Sequence, residues 1–375
     1  MSPAGCHTVK RTQHGARADN LHILSRYLIS LRGEIMNCYD GKHWNIYEIL
    51  PYQRNFNFIN GSRSIGKTYT ALKYIIDKCK SNHLEFVYIC RTQKEKQGGI
   101  LESAVQKVCD SEFSETDFYF EKGVMYADDE IIGYCIALSE AQQIKKHSYP
   151  NVKYILFDEY MLENDERAYI NGWHEPDLFL SIYHTIDREQ DKVICFLLGN
   201  NTKFYNPYHL HPAFKIQPVK QGGIWTAENV LFQNAIASNE LKDEKSKSRF
   251  IKMLQGTDYG KYANDGDYLL DNNNFILKLP ANCRYYMTLY YNSDVFGVYQ
   301  ETETGNVFIH NVIDRSCRRR YALTKNAHNE NTVYLTDKRA NFMLKWLARC
   351  YKNGCVYFTS MEIKSKSELM MYSIL

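Results

Sequence analysis

The pattern G-x-x-x-x-G-K-[ST] occupies residues 61–68, between a short apolar run at 56–59 and a stretch with apolar residues at helical spacing. In such a loop the backbone N–H groups, with those of the following helix N-terminus, converge on phosphate oxygens. The lysine supplies positive charge to the β- and γ-phosphates, and the last hydroxyl is a ligand for Mg²⁺. The pattern therefore predicts ATP and Mg²⁺ as cofactors. The expected nucleotide contacts are Gly61, Ser62, Arg63, Ser64, Ile65, Gly66, Lys67 and Thr68.

Several segments that are apolar almost throughout alternate with stretches that have helical spacing. Such segments are typical of strands buried on both faces, and their alternation with helices predicts a mainly parallel sheet covered by helices. A region of short alternating runs with turn residues, between the second and third segments, predicts a hairpin. The sequence thus predicts an α/β fold. The expected strands lie at 56–59, 85–90, 152–160 and 192–201.

Two acids, Asp158 and Glu159, close the third of these strands. A strand that delivers Asp158 beside the phosphate loop places its carboxylate in the Mg²⁺ shell, together with Thr68. Glu159 is then positioned to polarise an attacking water. Because water becomes the activated nucleophile, the pair favours nucleotide hydrolysis over phosphoryl transfer to a metabolite. A strand that ends in solvated acids is the alternative interpretation.

Asn200 closes the next strand. There is room for a strand and a helix between Lys67 and Asp158, which fits the additional-strand, catalytic-glutamate class of P-loop ATPases. In that class a polar residue between the two motif strands senses the γ-phosphate, and Asn200 is the expected sensor; a strand-ending turn is the alternative. Arg63 within the loop and Arg188 before the sensor strand invite catalytic roles, but solvated arginines would look the same in the sequence.

The net charge of +3 conceals an acidic middle segment, 36–275, that is flanked by a basic N-terminus and a basic C-terminal segment. This division suggests a polyanion partner, although basic faces are often merely solvated. Eleven cysteines without a C-x-x-C pair indicate a reducing cytoplasm. No apolar run approaches the roughly 18 residues of a membrane span, and no signal peptide is recognisable, so no membrane partner is expected.

Changes in composition along the chain predict four segments. Residues 1–35 are basic and low in apolar residues, which predicts a mobile N-terminal extension. Residues 36–213 are the expected P-loop ATPase domain. Residues 214–278 are charged and include a helical run, and we expect a lid or linker subdomain there. Residues 279–375 begin with β-strand patterns and end with helical ones, which predicts a second α/β domain.

Together these residues resemble those of a known family. The segments NFINGSRSIGKTY, SYPNVKYILFDEYMLENDERAYI and LLGNNTKFYNPY are similar to those of the DNA-packaging (encapsidation) ATPases of phi29-type small tailed phages, which are relatives of terminase large subunits. EFVYICR, SRFIKMLQGTDYG and WLARCYKNG add to the likeness. The resemblance extends from residue 36 to the C-terminus and leaves residues 1–35 outside.

The resemblance implies a viral genome-packaging motor subunit that hydrolyses ATP to translocate double-stranded DNA into a procapsid. The implied partners are further copies of the chain in a homo-oligomeric ring, typically a pentamer, and the portal or connector of the procapsid. A packaging RNA is left open as a further partner. The implied location is the host cytoplasm, with transient residence at the procapsid portal vertex.

The family's roles are carried over by position. Asn200 falls at the coupling position, and Arg188 aligns with an arginine finger that acts in trans on a neighbouring subunit. The other assignments implied by the resemblance are ATP and Mg²⁺ binding for Lys67 and Thr68, metal binding for Asp158, and catalysis for Glu159.

The C-terminal domain resembles the RNase H-like nuclease domain of terminases, which needs clustered carboxylates to hold two metal ions. Here Asp294 lies at a turn, and Asp314 and Asp337 are scattered, so a nuclease-dead domain is expected. Its basic excess suits contact with the DNA backbone, or an ordinary exposed basic loop. The expected DNA contacts are Arg315, Arg318, Arg319 and Arg320 in this domain, with Lys94 and Lys96 after the second strand.

Two other classes of function stay open from the sequence alone. A soluble P-loop kinase or small-molecule NTPase is disfavoured by Glu159 and by the second domain. A DNA-binding protein with a regulatory nucleotide site is the other alternative. Stimulation of ATP hydrolysis by DNA distinguishes a motor from both, because a motor couples the two events.

Overall fold

The structure is a computed structural model that describes residues 41–162, 169–170, 174–257, 260, 268 and 274–375. The N-terminal extension expected from the sequence lies outside the described residues. The described chain forms two β-sheets, one of nine strands and one of six, with helices packed against them. None of the described helices combines the length and the apolar character needed to cross a bilayer.

The secondary structure elements are numbered in chain order. The first sheet contains β1 (Phe56–Gly61), β2 (Glu85–Cys90), β3 (Phe118–Glu121), β4 (Val124–Ala127), β5 (Glu130–Ala137), β6 (Val152–Asp158), β7 (Ile194–Leu198), β8 (Ile224–Thr226) and β9 (Val230–Ala235). The helices in this part are α1 (Lys67–Asn82), α2 (Gln93–Gln97), α3 (Ile100–Glu112), α4 (Glu175–Asp187), α5 (Pro207–Leu210), α6 (Asn239–Ser246) and α7 (Arg249–Met253). The second sheet and its helices are β10 (Cys283–Tyr291), β11 (Asp294–Glu301), β12 (Val307–His310), β13 (Arg320–Ala322), β14 (Val333–Tyr334), α8 (Lys338–Lys352), β15 (Val356–Phe358) and α9 (Met361–Tyr372).

The centre of the first sheet is parallel, in the order β5-β2-β6-β7-β1-β9. All residues of β2 and of β9 are buried, which suits their mainly apolar sequences. The buried Gln233 and Asn234 of β9 accept hydrogen bonds from Trp44 and Asn201. One face packs on α1 through Leu72 and Ile75, and the other packs on α4 through Phe179 and Ile182. The predicted parallel sheet with two covered faces is therefore confirmed.

β7 lies between β1 and β6, and Leu197 of β7 pairs with Phe58 on one side and Phe157 on the other. Parallel strands end at the same edge of a sheet, so the segments that follow these three strands come together there. They are the phosphate loop, the acid pair and the loop that begins at Gly199. The strand order confirms the additional-strand arrangement predicted from the sequence.

β3, β4 and β5 form an antiparallel meander at one edge of the sheet. Both of its turns have left-handed backbone, with φ of 51° and 80° at Lys122 and Gly123, and of 50° and 66° at Asp128 and Asp129. Two consecutive residues with positive φ match the right-handed twist of the flanking strands, and Gly and Asp adopt this geometry readily. The predicted hairpin is confirmed.

β8 and β9 come from the segment that the sequence assigns to a lid, 214–278, yet they belong to the first sheet. β9 pairs in parallel with β1, and the last pair is Gly61 with Ala235. The approach is close, since a Cβ on Gly61 would lie 2.6 Å from the carbonyl oxygen of Ala235. The first sheet therefore continues through residue 235, into the segment expected as a lid, and α6 and α7 come after it.

The second sheet has the order β14-β13-β10-β11-β12-β15. β10, β11 and β12 are antiparallel, whereas β13 pairs with β10 in parallel and β15 pairs with β12 in parallel. Leu344 and Leu347 of α8 contribute to the core of this sheet. The two halves meet where Lys203, after β7, forms an ion pair of 2.7 Å with Glu368 of α9.

Candidate active site

A cavity of about 350 Å³ opens where β1, β6 and β7 end. Its walls are the phosphate loop, the start of α1 and the residues that follow β6 and β7. The lining residues are Arg63, Ser64, Ile65, Gly66, Lys67, Thr68, Tyr69, Asp158, Glu159, Leu198, Gly199 and Asn200. Gly61 and Ser62 are buried and are not part of the lining. Residues from three separate parts of the sequence thus meet in one cavity.

The phosphate loop contains two residues with left-handed backbone, Ser64 with φ of 58° and Gly66 with φ of 86°. A Cβ on Gly66 would lie 3.0 Å from the Cβ of His43, so glycine avoids both a strained φ and a steric contact. α1 begins at Lys67, the next residue. The first N–H groups of a helix lack intrahelical partners, and here they lie at the cavity, where they suit phosphate oxygens.

Lys67 is buried, and its ammonium is surrounded by oxygens. Nζ donates to the carbonyl of Ser62 at 2.9 Å and to that of Gly61 at 3.4 Å. It also donates to Oδ1 of Asn200 at 3.3 Å. Burial lowers the pKa of Lys67 to about 7, and the Asp158 carboxylate opposes this shift. A phosphate beside Lys67 would favour the charged ammonium, which is a driving force for binding a polyphosphate.

Thr68 and Asp158 are in direct contact, since the Thr68 hydroxyl donates to Oδ1 of Asp158 at 3.1 Å. Burial raises the pKa of the Asp158 carboxyl to about 6, although the Thr68 hydrogen bond lowers it. A hydroxyl beside a desolvated carboxylate fits Mg²⁺, which takes oxygen ligands and would offset the desolvation. Within the described ranges, no group of three or more His, Cys, Asp or Glu side chains is arranged to hold a metal ion.

Glu159 follows β6 with a left-handed backbone, φ 55°. This conformation is uncommon for a residue with a side chain, and it turns the chain between Asp158 and the buried Tyr160. The turn leaves Glu159 exposed to solvent on the wall of the cavity. A carboxylate in this position is able to polarise a water molecule against a bound triphosphate.

Asn200 follows β7, which lies between the strand that leads to the phosphate loop and the strand that carries the acids. Its Oδ1 accepts a hydrogen bond from Lys67. Gly199 has no room for a side chain, because a Cβ there would lie 2.9 Å from a ring carbon of Tyr160. Asn201 donates to Oδ1 of Asn234 on β9 at 3.1 Å. The loop after β7 therefore packs against Tyr160, which follows β6, and is hydrogen-bonded to β9.

Arg63 and Arg188 lie on different surfaces. Arg63 lines the cavity, and its backbone carbonyl accepts a hydrogen bond from Lys245 of α6. Arg188 is the C-cap of α4, with φ of 51°, and it donates to the carbonyl of His147 at 3.4 Å. It borders a separate surface depression. Arg188 is thus not among the residues that line the nucleotide cavity of its own chain.

The two lysines predicted to contact DNA differ in environment. Lys94 is exposed, whereas Lys96 forms an ion pair of 2.9 Å with Glu140. Both belong to α2, which starts with a capping box: the Thr92 side chain accepts from the N–H of Glu95, and the Glu95 carboxylate accepts from the N–H of Thr92. The box fixes the start of the helix, so Lys94 projects from a rigid element.

The four predicted arginines of the C-terminal domain also differ. Arg315 and Arg318 are exposed on the loop before β13. The guanidinium of Arg319 lies 4.5 Å from the ring centroid of Tyr286, and Arg320 donates to two backbone carbonyls of its own loop. The loop is therefore organised in part by its own arginines, and Arg315 and Arg318 are the most available to a partner.

Two cations beside the cavity are missing from the sequence prediction. Arg91, directly after β2, is buried and donates to the backbone carbonyls of Glu159 and Tyr160. Lys245 reaches the phosphate loop from α6, and burial lowers its pKa. An arginine that closes an apolar strand is a weak signal for Arg91. The sequence holds no signal for Lys245, which lies in a charged helix.

The strand order, the phosphate loop, the acid pair after β6 and the asparagine after β7 are those of a P-loop ATPase with an additional strand between its two motif strands. Comparison with known proteins makes the assignment more specific. The chain belongs to the family of podovirus DNA encapsidation proteins (Gp16), whose family model matches residues 40–373. The resemblance identified in the sequence is thereby confirmed.

Individual relatives agree with the family. The DNA packaging protein of Bacillus phage phi29 is 29% identical over 324 residues, which are 86% of this chain and 95% of that protein. A chain of the bacteriophage Phi-29 viral genome packaging motor assembly is similar in structure, with a TM-score of 0.70 and 28% identity over 89% of this chain and 99% of that one. The Phi-28 gp11 DNA packaging motor matches with a TM-score of 0.61 and 19% identity over 88% and 97%, which supports the fold.

Proposed function

We propose that this chain is a subunit of a viral genome-packaging motor that hydrolyses ATP to move double-stranded DNA into a procapsid. The observation that carries the proposal is the convergence of Lys67, the Thr68–Asp158 pair and Glu159 on one cavity, in a chain of the encapsidation family. A triphosphate loop, a metal-binding pair and a carboxylate for water are the parts that an ATPase needs.

Each site residue has a role in this proposal. Residues 61–68 hold the phosphates of ATP, and Thr68 and Asp158 hold Mg²⁺. The bound ion neutralises charge on the phosphate oxygens. Glu159 accepts the proton of the attacking water as the water oxygen bonds to the γ-phosphorus. The bond from the γ-phosphorus to the β,γ-bridging oxygen breaks, which leaves ADP and inorganic phosphate. Asn200 senses the γ-phosphate through Lys67 and transmits the change to the loop after β7. The 3.3 Å contact between Lys67 and Asn200 supports this role.

We infer that several copies of the chain form a ring, with five as the expected number, and that the ring meets the portal of the procapsid in the host cytoplasm. The similarity to a chain of the phi29 motor assembly supports this. So does the position of Arg188, which borders a different surface from its own nucleotide cavity and would serve the site of a neighbouring subunit. A packaging RNA is a further proposed partner, to which we assign no residue.

We further propose a domain organisation that starts with the extension at 1–35. The ATPase domain begins at residue 36 and includes β8 and β9, and the lid contains α6 and α7 and ends at residue 278. Residues 279–375 form an RNase H-like, DNA-binding domain, supported by the mixed six-stranded sheet with flanking helices. Arg315, Arg318 and Lys94 are the proposed contacts to the DNA backbone, since they are exposed.

We propose that this last domain has no nuclease activity. Its carboxylates have separate local partners: Asp337 caps α8, and Asp314 accepts hydrogen bonds from Ser316. Asp294 and Glu362 share the ammonium of Lys366, at 3.9 Å and 2.8 Å, and this cation would compete with a metal ion for both carboxylates. A nuclease of this kind needs carboxylates gathered around two metals. Incubation with plasmid DNA and Mn²⁺ should therefore leave the plasmid uncut.

The deciding experiment measures ATP hydrolysis by the purified chain, with and without duplex DNA and procapsids. We expect DNA or procapsids with DNA to raise the rate. Glu159→Gln should still bind ATP but hydrolyse it about 10²- to 10⁴-fold more slowly, because it lacks the base. Glu228→Gln, which removes the same charge from an exposed side chain in the turn between β8 and β9, is the matched control and should retain the wild-type rate.

A rate that is indifferent to both DNA and procapsids would contradict the motor. Transfer of the γ-phosphate to a small molecule would instead indicate a kinase, and an unimpaired Glu159→Gln would remove the proposed base.

A further inference from the structure

Arg91 holds the turn that carries Glu159. Nη1 of Arg91 donates to the carbonyl of Glu159 at 2.8 Å, and Nη2 donates to the carbonyl of Tyr160 at 2.5 Å. The planar guanidinium therefore binds two consecutive carbonyls at once, a geometry that the single ammonium of lysine does not reproduce. The side chain is 9% exposed, so these bonds are shielded from water.

The guanidinium is itself fixed from behind. Its Nε lies 3.3 Å from Oε1 of Glu175, the first residue of α4, which has no exposed surface. The Tyr208 hydroxyl donates to the same carboxylate at 2.9 Å, and the N–H of Ile170 donates at 2.7 Å. The face of Arg91 also lies 5.1 Å from the ring centroid of Phe157. Burying this ion pair removes both charges from water, and the surrounding hydrogen bonds offset that desolvation. The same contacts hold the guanidinium in one place.

The turn needs such support. Glu159 has a left-handed backbone, which persists at a residue with a side chain only where the surroundings hold it. Beyond Glu159, Tyr160 is anchored twice: its N–H donates to the carbonyl of Leu198 at 3.1 Å, and its hydroxyl donates to Oδ1 of Asn60 at 2.6 Å. The carbonyl of Glu159 accepts a hydrogen bond from Arg91. Arg91 therefore fixes the rotation of the peptide that sets where the carboxylate points.

Arg91 also connects this turn with α2. Its backbone N–H donates to the Glu95 carboxylate at 2.8 Å, and the same carboxylate completes the capping box with Thr92. α2 carries Lys94, one of the proposed DNA contacts. A displacement of α2 is thus transmitted to the backbone of Arg91, and from its side chain to the carbonyl of Glu159.

We propose that Arg91 is a positioning residue that sets the orientation of the catalytic carboxylate through the backbone of Glu159 and links that orientation to α2. The inference rests on the proposed role of Glu159 in hydrolysis. It assigns to Arg91 no contact with nucleotide, so its removal should change the rate of the chemical step and leave nucleotide binding intact.

The test compares Arg91→Lys and Arg91→Ala with the wild type in the full chain. We expect kcat for ATP hydrolysis to fall about 10- to 100-fold in both, as small misplacements of a reacting group do. The affinity for a non-hydrolysable ATP analogue should stay unchanged, and stimulation by duplex DNA should be lost. Glu85→Gln is the matched control, because Glu85 is a buried polar residue at the other end of β2 that accepts from Tyr134 and Asn151.

Two results would overturn the inference: full activity in Arg91→Lys, or a loss of kcat that is matched by Glu85→Gln and accompanied by weaker analogue binding and a lower melting temperature. Should Arg91→Ala fail to fold, Arg91→Lys decides, since it retains charge and most of the volume. Glu159→Gln, measured in parallel, separates the two proposals. If it is inactive while Arg91→Lys is fully active, only this inference fails; if it hydrolyses ATP normally, both do.

Discussion

A fully buried histidine stands behind the turn that carries Glu159. Nε2 of His209 lies 2.6 Å from the hydroxyl of Tyr160, and the imidazole packs on the rings of Phe204 and Phe232. Burial lowers the pKa of His209 to about 3. The imidazole is therefore neutral in the folded protein at ordinary pH, and the packing behind the turn requires this uncharged form.

Because the pKa of His209 is lowered in the folded state, the stability of the protein depends on pH. The unfolded chain takes up a proton near pH 6.5, the usual value, whereas the folded chain takes it up only near pH 3. The contribution of His209 to the free energy of unfolding is thus complete above pH 6.5 and is lost as the pH falls toward about 3. We expect His209 alone to lower the free energy of unfolding by about 2 kcal/mol between pH 7 and pH 5. Urea denaturation at the two pH values measures it.

His209→Gln should be less stable at pH 7 but should lose less stability on going to pH 5, because glutamine takes up no proton. An acid loss of equal size in His209→Gln and in the wild type would show that other groups are responsible.

At the scale of elements, the sequence predicts what is coded locally. β1, the phosphate loop and α1 follow from a contiguous pattern, and β6 and β7 are recognisable as apolar runs that end in polar residues. β9 is just as buried, but its position beside β1 depends on a pairing between distant segments. The composition around it is charged, which suggested a lid. Local patterns therefore do not reveal the extra strand.

The same distinction applies to the candidate site. Lys67, Thr68, Asp158, Glu159 and Asn200 are predictable, because each lies at a fixed offset from a strand end. Their supporting residues have partners in other elements, as the contacts of Arg91 with the turn after β6 and of Lys245 with the phosphate loop illustrate. No single-sequence pattern encodes such tertiary contacts.

α2 allows a prediction about its two lysines. Lys94→Ala should weaken binding of duplex DNA and reduce the slope of log affinity against log salt by about 0.9, since one phosphate contact is lost. Lys96→Ala should instead destabilise the fold, by roughly 1–3 kcal/mol, because it leaves the buried Glu140 carboxylate without its cation. DNA titrations at several salt concentrations and urea denaturation measure the two effects.

Lys107→Ala is the matched control for this pair, since it removes the same charge from an exposed position on the adjacent helix α3. If Lys107→Ala changes the salt slope as much as Lys94→Ala does, the effect comes from net charge and not from a specific contact by α2.

At the scale of the whole molecule, the segment that follows β7 is linked to the C-terminal domain. Asn200 contacts Lys67 in the cavity, and Lys203, three residues further on, forms its ion pair with Glu368 of α9. Both side chains are partly shielded from water, which strengthens the attraction between the two charges relative to a surface pair. The proposed γ-phosphate sensor, Asn200, therefore lies a short distance along the chain from a contact with the second domain.

We propose that Arg188 acts between subunits rather than within its own chain, because it borders a surface separate from its own cavity. We expect Arg188→Ala to retain ATP binding and to hydrolyse ATP about 10³-fold more slowly, as loss of an arginine finger does. Glu159→Gln should be similarly inactive by itself. If the finger acts in trans, an equal mixture of the two variants restores part of the activity, since some interfaces then pair an intact Glu159 with a neighbour's intact Arg188. Hydrolysis without DNA is the readout, because it does not require translocation. A mixture no more active than its components would place Arg188 outside the neighbour's site.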